Sequence, residues 1–149
     1  MKFLLSIFLL VGNGTDLAVL DRTREDLRPL LNALAVVESN NNDMAVGDNG
    51  RALGRYQIWE VYWQDAVSYA PALKGTYQDV KSQEYAERVM VAYLLRYAKG
   101  AVESHDYERL ARIHNGGPKG DQKKATLKYW DRVNQNLGVP VRRFKYWKI

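Results

Sequence analysis

The sequence predicts a single, mainly helical α+β domain with a small loop or β insertion near residues 45–57. Three observations support this class. Leucines recur at helical spacing within residues 24–39, a long amphipathic segment occupies residues 82–99, and glycine and asparagine crowd the stretch between them. The chain has 149 residues, of which 46% are hydrophobic, and no internal repeat. One compact domain is therefore expected.

The first predicted helix covers residues 24–39, where leucines follow the i, i+3, i+4, i+7 spacing of one helical face. This leucine stripe consists of Leu27, Leu30, Leu31 and Leu34. Thr23 is the expected N-cap. Pro29 lacks a backbone N–H, so we expect the regular helix to begin near it or to kink there.

The middle of the chain changes from turn residues to aromatic residues. Residues 40–53 contain the segments SNNND and GDNG, which are typical of a hairpin or an ordered loop. Residues 55–67 are rich in aromatic side chains, and we expect them to begin extended and finish as a helix. Pro71 and Gly75 then interrupt regular structure before residue 82.

Three further helices are predicted in the second half of the chain. Residues 82–99 form the strongest of them, with Ser82 as N-cap and Gly100 as the residue that ends it. Shorter helices are expected over residues 107–114 and 125–137, because glycine or proline comes after each.

Residues 1–14 have the pattern of a secretory signal peptide. Lys2 precedes an apolar run, and small residues end the segment at Gly14. The alternative is a short membrane anchor, although spanning a bilayer takes about 20 apolar residues. We therefore expect cleavage after Gly14, a secreted or periplasmic domain over residues 15–149, and no stable membrane insertion after the leader is removed.

Composition excludes several chemistries and leaves others open. With no cysteine, the chain has no disulfide, thiolate metal site or cysteine nucleophile. It has two histidines and no HExxH motif, so no metal site and no cofactor are predicted. The net charge is +5, and would be +4 without Lys2. This mild excess suits an anionic partner such as a cell wall, a polysaccharide, a membrane surface or a nucleic acid.

Glu38 is the first candidate catalytic residue. It lies eleven positions after Leu27, which returns it to within roughly 20° of the same helix face. A carboxyl group in an apolar stripe is paired, lies at the exposed end of the stripe, or is desolvated. Desolvation raises the pKa of a carboxyl group, as a general acid requires. The other interpretation is that the helix ends here and the side chain turns to water.

A second carboxylate comes ten residues later, at Asp48 in the GDNG segment, and Asp43 is a nearer alternative. Cleavage of a glycosidic bond normally uses two carboxyl groups, one of which protonates the leaving oxygen. Aspartate is also common in turns, so spacing alone leaves the role of Asp48 open.

Two blocks of sequence resemble the invertebrate-type, destabilase-like lysozymes. The first is VESNNNDMAVGDNGRALGRYQIWEVYW, residues 37–63, and the second is ARIHNGGPKGDQKKATLKYWDRV, residues 111–133. The first block is also similar, more distantly, to goose-type lysozymes and soluble lytic transglycosylases. The resemblance implies a lysozyme-like fold, with helices around a small β element and a saccharide cleft. Family members normally have many disulfides, and this chain departs from them in having none.

The resemblance also implies roles for individual residues. Glu38 matches the general acid of the family and Asp48 its second carboxylate. The candidate substrate-binding residues are Ser39, Tyr56, Gln57, His114, Asn115 and Gly116. Ser39 is included because it adjoins Glu38, with a polar helix end as the other interpretation. His114 is included because it precedes Asn115, although a single histidine is more often structural.

The activity implied is hydrolysis of peptidoglycan at the β-1,4 bond between N-acetylmuramic acid and N-acetylglucosamine. A lytic transglycosylase that forms 1,6-anhydro products is the nearest alternative. A non-catalytic saccharide-binding protein is another. A nucleic-acid binder is the least favoured, because the chain contains no recognised nucleic-acid motif. Peptidoglycan is thus the expected partner, and nucleic acid is not.

Overall fold

The computed structural model describes residues 15–138 and contains, within them, six α-helices and one small sheet. The predicted leader and the basic tail of the chain lie outside these residues. The predicted class, mainly helical α+β, is confirmed. The helices are α1 (Leu17–Asp26), α2 (Arg28–Ser39), α3 (Glu60–Tyr69), α4 (Gln83–Glu103), α5 (Tyr107–Gly116) and α6 (Leu127–Asn136); the strands are β1 (Val46–Gly47), β2 (Ala52–Leu53) and β3 (Ile58–Trp59).

The first predicted helix is two helices. It breaks at Leu27, and Pro29 lies in the first turn of α2, as its missing N–H favours. The prediction that Thr23 is the N-cap is wrong, because Thr23 lies inside α1. That helix begins earlier and is capped by Asp16, whose carboxylate accepts a 2.9 Å hydrogen bond from the Val19 amide.

Helices α2 and α4 supply many of the core residues. All four residues of the leucine stripe are fully buried. Burial of each such side chain contributes roughly 1.5–3 kcal/mol. Helix α4 is the most buried helix and packs against α1, α3 and α5. Its main core residues are Val89, Met90, Val91, Ala92 and Leu94.

Helix α4 begins where the sequence predicts and ends later. Ser82 is its N-cap, as expected, but Gly100 does not end it. The helix is distorted at Ala98, continues to Glu103, and is followed by His105 at a φ of 53°. Gly100 keeps a negative φ, so its lack of a side chain does not by itself end the helix. The shorter helices α5 and α6 match their predicted positions to within about two residues.

The small sheet is antiparallel with strand order β1-β2-β3. Val46 pairs with Leu53, and Ala52 pairs with Trp59. Asp48 therefore lies in the turn between the first two strands. This arrangement confirms the predicted hairpin and the change from extended chain to helix after residue 55.

A buried ion pair connects α2 to α4. Glu87 is 1% exposed and accepts hydrogen bonds of 2.7 and 2.9 Å from the Arg28 guanidinium. Gln83 and the Tyr56 hydroxyl also donate to it, at 2.9 and 2.7 Å. Burial alone would raise the pKa of Glu87, but the hydrogen bonds from these donors outweigh burial and hold it below its ordinary value.

Within residues 15–138, no helix combines the length and the apolar character needed to cross a bilayer.

Candidate active site

A cleft of about 570 Å³ opens between the end of α2, the sheet, helices α3 and α4, and the end of α5. Six of the eight sequence-predicted site residues line it, Glu38 and Asp48 among them. The lining residues are Glu38, Asp48, Gln57, Trp59, Val61, Tyr62, Asp65, Tyr93, His114, Asn115, Gly116, Gly117, Pro118 and Lys123.

Glu38 lies in the last turn of α2 and points into this cleft rather than out to water. Its side chain is 17% exposed. Its Oε1 atom accepts a 2.7 Å hydrogen bond from the Tyr129 hydroxyl of α6. The Nε2 atom of His114 lies 3.5 Å from the same oxygen. Of the alternatives left open by the sequence, the structure thus supports a partly buried and paired carboxyl group.

His114 is held by aromatic neighbours beneath the cleft. Its Nδ1 atom lies 3.1 Å from the Tyr62 hydroxyl, and its ring meets the Tyr62 ring edge to face. The Tyr62 ring stacks on Tyr93 with centroids 3.6 Å apart. Burial, and then the neighbouring Tyr93 and Glu38, raise the pKa of Tyr62 well above its ordinary value. The Tyr62 hydroxyl therefore keeps its proton. In the tautomer in which it donates to Nδ1, the imidazole proton lies on Nε2 and faces Glu38.

Asp48 lies in the β1–β2 turn on the other side of the cleft. Asp48 and Asn49 both have a positive φ, 49° and 57°, which Asp and Asn tolerate better than most residues. The Asp48 Oδ2 atom accepts a 3.1 Å hydrogen bond from the indole N–H of Trp59. The guanidinium of Arg51 lies 4.8 Å from the centre of the Trp59 ring. The alternative acid, Asp43, pairs with Arg55 at 2.7 Å and does not line the cleft.

Gln57 comes after both carboxyl groups in the sequence and also lines the cleft. Its backbone has a φ of 51°, and its amide nitrogen donates a 3.0 Å hydrogen bond to the carbonyl of Gly54. A Cβ atom at Gly47 would overlap the Gln57 side-chain oxygen. A glycine at position 47 is therefore needed for Gln57 to hold this position.

Asn115 and Gly116 form the last residues of α5 and lie at the cleft. Gly117 comes next at a φ of 86° and turns the chain away from the helix. The Gly116 carbonyl accepts a 2.6 Å hydrogen bond from the Lys123 ammonium. The helix end thus presents polar groups to the cleft next to His114.

Two sequence-predicted binding residues do not reach the cleft. Ser39 is the last residue of α2, where its hydroxyl donates to the Arg55 carbonyl at 2.8 Å and accepts from the Asn42 amide at 3.0 Å. Tyr56 is 1% exposed and faces Glu87 in the interior. The structure thus places neither side chain among those that line the cleft, because their polar atoms bind other parts of the chain around the site.

Sequence reasoning missed the groups that hold the side chains of Glu38 and Asp48. Tyr129 is 4% exposed and lies 91 residues from Glu38, and no periodicity links the two positions. The only signal was its place in the second block of the family resemblance. Among the aromatic residues of this segment, Tyr62 is buried against His114, Trp59 is 38% exposed at the cleft, and Trp63 packs against the core.

Over the described part of the chain, no group of three or more histidine, aspartate or glutamate side chains could hold a metal ion.

Comparison with sequences of known proteins finds bivalve lysozymes. The chain is 37% identical over 82 residues to a lysozyme of Magallana gigas, a match that covers 55% of this chain and 58% of that protein. It is 33% identical over 91 residues to an invertebrate-type lysozyme of Ruditapes philippinarum, covering 61% and 65% of the two proteins. These matches therefore span a little over half to two thirds of the length of the relatives.

Comparison with solved structures finds the same fold. The structure of Meretrix lusoria lysozyme in complex with Aeromonas hydrophila PliI matches with a TM-score of 0.61 and 30% identity. That match covers 74% of this chain and 90% of the other. Tapes japonica lysozyme matches with a TM-score of 0.60 and 25% identity, covering 76% and 89%. The lysozyme-like fold that the resemblance implies is confirmed.

The Destabilase family model matches residues 28–136. The matched region runs from the start of α2 to the end of α6 and so contains the whole cleft. The chain belongs to the Destabilase family and has the fold of the invertebrate-type lysozymes.

Proposed function

We propose that this chain is a lysozyme-type glycoside hydrolase that cleaves the β-1,4 bond between N-acetylmuramic acid and N-acetylglucosamine in peptidoglycan, with Glu38 as the general acid. The observation that carries the proposal is the placement of the Glu38 carboxyl group, which is bound by the Tyr129 hydroxyl and lines the same cleft as Asp48. Membership of a family whose relatives are named lysozymes supports it.

The two oxygens of Glu38 have different surroundings. Oε1 faces both the Tyr129 hydroxyl and the His114 imidazole. Oε2 makes no hydrogen bond to any of residues 15–138. Because Oε1 is held in place, Oε2 is the oxygen that would carry the acidic proton and deliver it to the glycosidic oxygen. When the bond breaks, the Tyr129 hydroxyl and the Nε2–H of His114 would stabilise the carboxylate that remains.

Asp48 would act on the sugar ring rather than on the leaving oxygen. Glu38 is paired with the Tyr129 hydroxyl. Burial and the Glu38 carboxyl raise the pKa of Tyr129, so the Tyr129 hydroxyl donates to Glu38 without ionising. Asp48, in contrast, is exposed at the cleft and oriented through Oδ2 by the Trp59 indole. A carboxylate placed there can stabilise the positive charge of an oxocarbenium-like transition state or attack the anomeric carbon, and a water molecule completes hydrolysis.

Gln57, Asn115 and Gly116 would bind the saccharide. They line the cleft and offer amide and backbone groups, which suit the hydroxyl and acetamido groups of amino sugars. We extend the proposal to the beginning of the chain: residues 1–14 direct export, and residues 15–149 form the secreted catalytic domain. An exported enzyme would meet its polymeric substrate outside the cytoplasm.

The experiment that tests the proposal is mass spectrometry of purified peptidoglycan treated with a protein that begins at residue 15. Soluble fragments with reducing N-acetylmuramic acid ends are expected. Fragments with 1,6-anhydro ends would identify a lytic transglycosylase instead. Binding to peptidoglycan without release of fragments would indicate a non-catalytic saccharide-binding protein.

The role of Asp48 separates hydrolase from transglycosylase in the same assay. If Asp48 supports hydrolysis as proposed, Asp48→Asn should lower the turnover of peptidoglycan by about 10- to 1000-fold, since one electrostatic group at a reacting centre is typically worth that much. Asp43→Asn is the matched control, because Asp43 belongs to the same loop but pairs with Arg55 away from the cleft. Equal rates for Asp48→Asn and the parent would contradict the assigned role.

A further inference from the structure

The charges that line the cleft are unevenly distributed. Three carboxyl groups, those of Glu38, Asp48 and Asp65, lie along it. Lys123 is the only lysine or arginine among the described residues that line it, and it lies on the rim formed by the α5–α6 connection. The cleft therefore offers one fixed site for a negatively charged group, on the side of α5.

The Lys123 side chain is held at this rim. Its ammonium group donates a 2.6 Å hydrogen bond to the Gly116 carbonyl at the end of α5. Its own backbone carbonyl accepts hydrogen bonds from the Thr126 hydroxyl at 2.8 Å and from Arg112 at 3.3 Å. Since both ends of the residue are tethered, binding a ligand would cost little additional side-chain entropy.

The charge of Lys123 has no acidic partner in residues 15–138. Among these described residues, no carboxylate lies within 4 Å of its ammonium group, and the nearby acids are engaged elsewhere. Asp121 pairs with Arg109 at 3.0 Å, and Glu108 pairs with Arg112 at 3.0 Å. An ammonium group has three N–H donors, so two remain for a ligand in the cleft.

We propose that Lys123 is a specificity residue that binds a carboxylate of the substrate, so that the cleft prefers carboxylate-bearing glycans to neutral chitin oligosaccharides. This inference rests on the proposed function. N-acetylmuramic acid carries a lactyl carboxyl group, which is free in bare glycan strands and amide-linked when a stem peptide is attached. The stem peptide then supplies carboxylates of its own. Either source presents the same group to Lys123.

Binding measurements in a Glu38→Gln background test this independently of turnover. The ligands are chitotetraose, a peptide-free tetrasaccharide of alternating N-acetylglucosamine and N-acetylmuramic acid, and the same glycan with stem peptides. Lys123→Gln removes the charge and retains a side-chain N–H donor. Lys123→Arg keeps the charge. Lys128→Gln, at an exposed lysine of α6 that does not line the cleft, is the control.

Titration calorimetry should show that Lys123→Gln weakens binding of a carboxylate-bearing glycan about 5- to 20-fold, within the range of a charged hydrogen bond at a partly exposed site. The affinity of Lys123→Gln for chitotetraose should be within about twofold of that of the reference protein, which carries Glu38→Gln alone. Lys123→Arg and Lys128→Gln should change the affinity for every ligand little. Weaker binding of only the peptide-free glycan would identify the lactyl carboxylate, and weaker binding of only the peptide-bearing glycan would identify the stem peptide.

Equal effects of Lys123→Gln on the binding of neutral and charged glycans would overturn the inference. So would the absence of any effect on either ligand. Failure of the reference protein to bind a charged glycan would also overturn it. If the Glu38→Gln protein binds charged glycans through Lys123 but the parent protein releases no fragments from peptidoglycan, the proposed hydrolysis is contradicted while the carboxylate site is supported.

Discussion

The Tyr129 hydroxyl donates a 2.7 Å hydrogen bond to Oε1 of Glu38 and thereby joins α6 to the end of α2. Tyr129 is buried, and burial together with the Glu38 carboxyl raises its pKa well above the ordinary value. It is therefore a permanent donor over the whole range in which an enzyme works. A general acid needs this kind of fixed orientation, because proton transfer requires the donor oxygen within hydrogen-bond reach of its target.

Loss of the Tyr129 hydroxyl should slow the chemical step. Tyr129→Phe keeps the buried ring and removes the donor to Glu38. We expect kcat on soluble peptidoglycan fragments to fall about 10- to 100-fold, as a hydrogen bond to a charged group contributes roughly 1.5–3 kcal/mol. KM should change less than twofold. Tyr107→Phe, on α5 and outside the cleft, is the control. An unchanged kcat in a folded Tyr129→Phe protein would show that this bond does not position the acid.

The Trp59 indole should matter through Asp48. Trp59→Phe keeps an aromatic ring at the cleft but removes the N–H that binds Oδ2 of Asp48. The expected result is a fall in kcat of about 3- to 10-fold, the value of one hydrogen bond. Trp63→Phe is the matched control, since the Trp63 indole donates to the Tyr85 hydroxyl at 3.0 Å away from the cleft. Similar kcat losses in both variants, measured by steady-state kinetics, would argue against a specific role for Trp59.

The buried Glu87 should be a large contributor to stability. Glu87→Leu leaves the guanidinium of Arg28 without its buried partner, and breaking such a pair costs about 3–5 kcal/mol. Glu84→Leu on the same helix removes only an exposed pair with Arg88, worth less than about 1 kcal/mol. Urea denaturation at neutral pH measures both free energies of unfolding. Comparable losses of unfolding free energy in the two variants would show that the buried Glu87 pair is not a large contributor to stability.

Alkaline pH should unfold the protein through its buried tyrosines. Burial is the largest cause of the raised pKa values of Tyr56, Tyr62, Tyr93 and Tyr129. Above pH about 10 the unfolded chain loses these protons while the folded chain keeps them, so the free energy of unfolding falls as pH rises. Phenolate absorbance at about 295 nm and far-ultraviolet circular dichroism, recorded together from about pH 9 upwards, measure this. Full ionisation of the tyrosines with the helices intact would contradict the burial of these hydroxyls.

The position of Glu38 could be predicted from helical periodicity, because the leucine stripe that leads to it is a local feature of α2. The position of Asp48 could be predicted only in part, since a turn aspartate has the same sequence pattern whether or not it faces a cleft. The partners of these acids could not be predicted. Tyr129 contacts Glu38 across 91 residues, and such a contact depends on how α6 packs against α2.

The residues that sequence reasoning placed wrongly share one physical feature. Ser39 and Tyr56 each adjoin a residue that lines the cleft, but each satisfies its polar atom within the protein. Adjacency in sequence does not determine which way a side chain points. In the loop with a positive φ at Gln57, the Tyr56 side chain points into the interior while the Gln57 side chain lines the cleft. Family resemblance identified the segment that lines the cleft but not which of its side chains face the cleft.

The most direct test of Glu38 as the general acid compares the protein from residue 15 with its Glu38→Gln variant on purified peptidoglycan. Glutamine keeps the shape of the side chain and an acceptor for the Tyr129 hydroxyl, but it has no acidic proton. We expect the variant to stay folded and still bind the glycan, while the rate of fragment release falls at least about 100-fold, within the usual contribution of general acid catalysis. Release of fragments at the parental rate would show that Glu38 is not the acid.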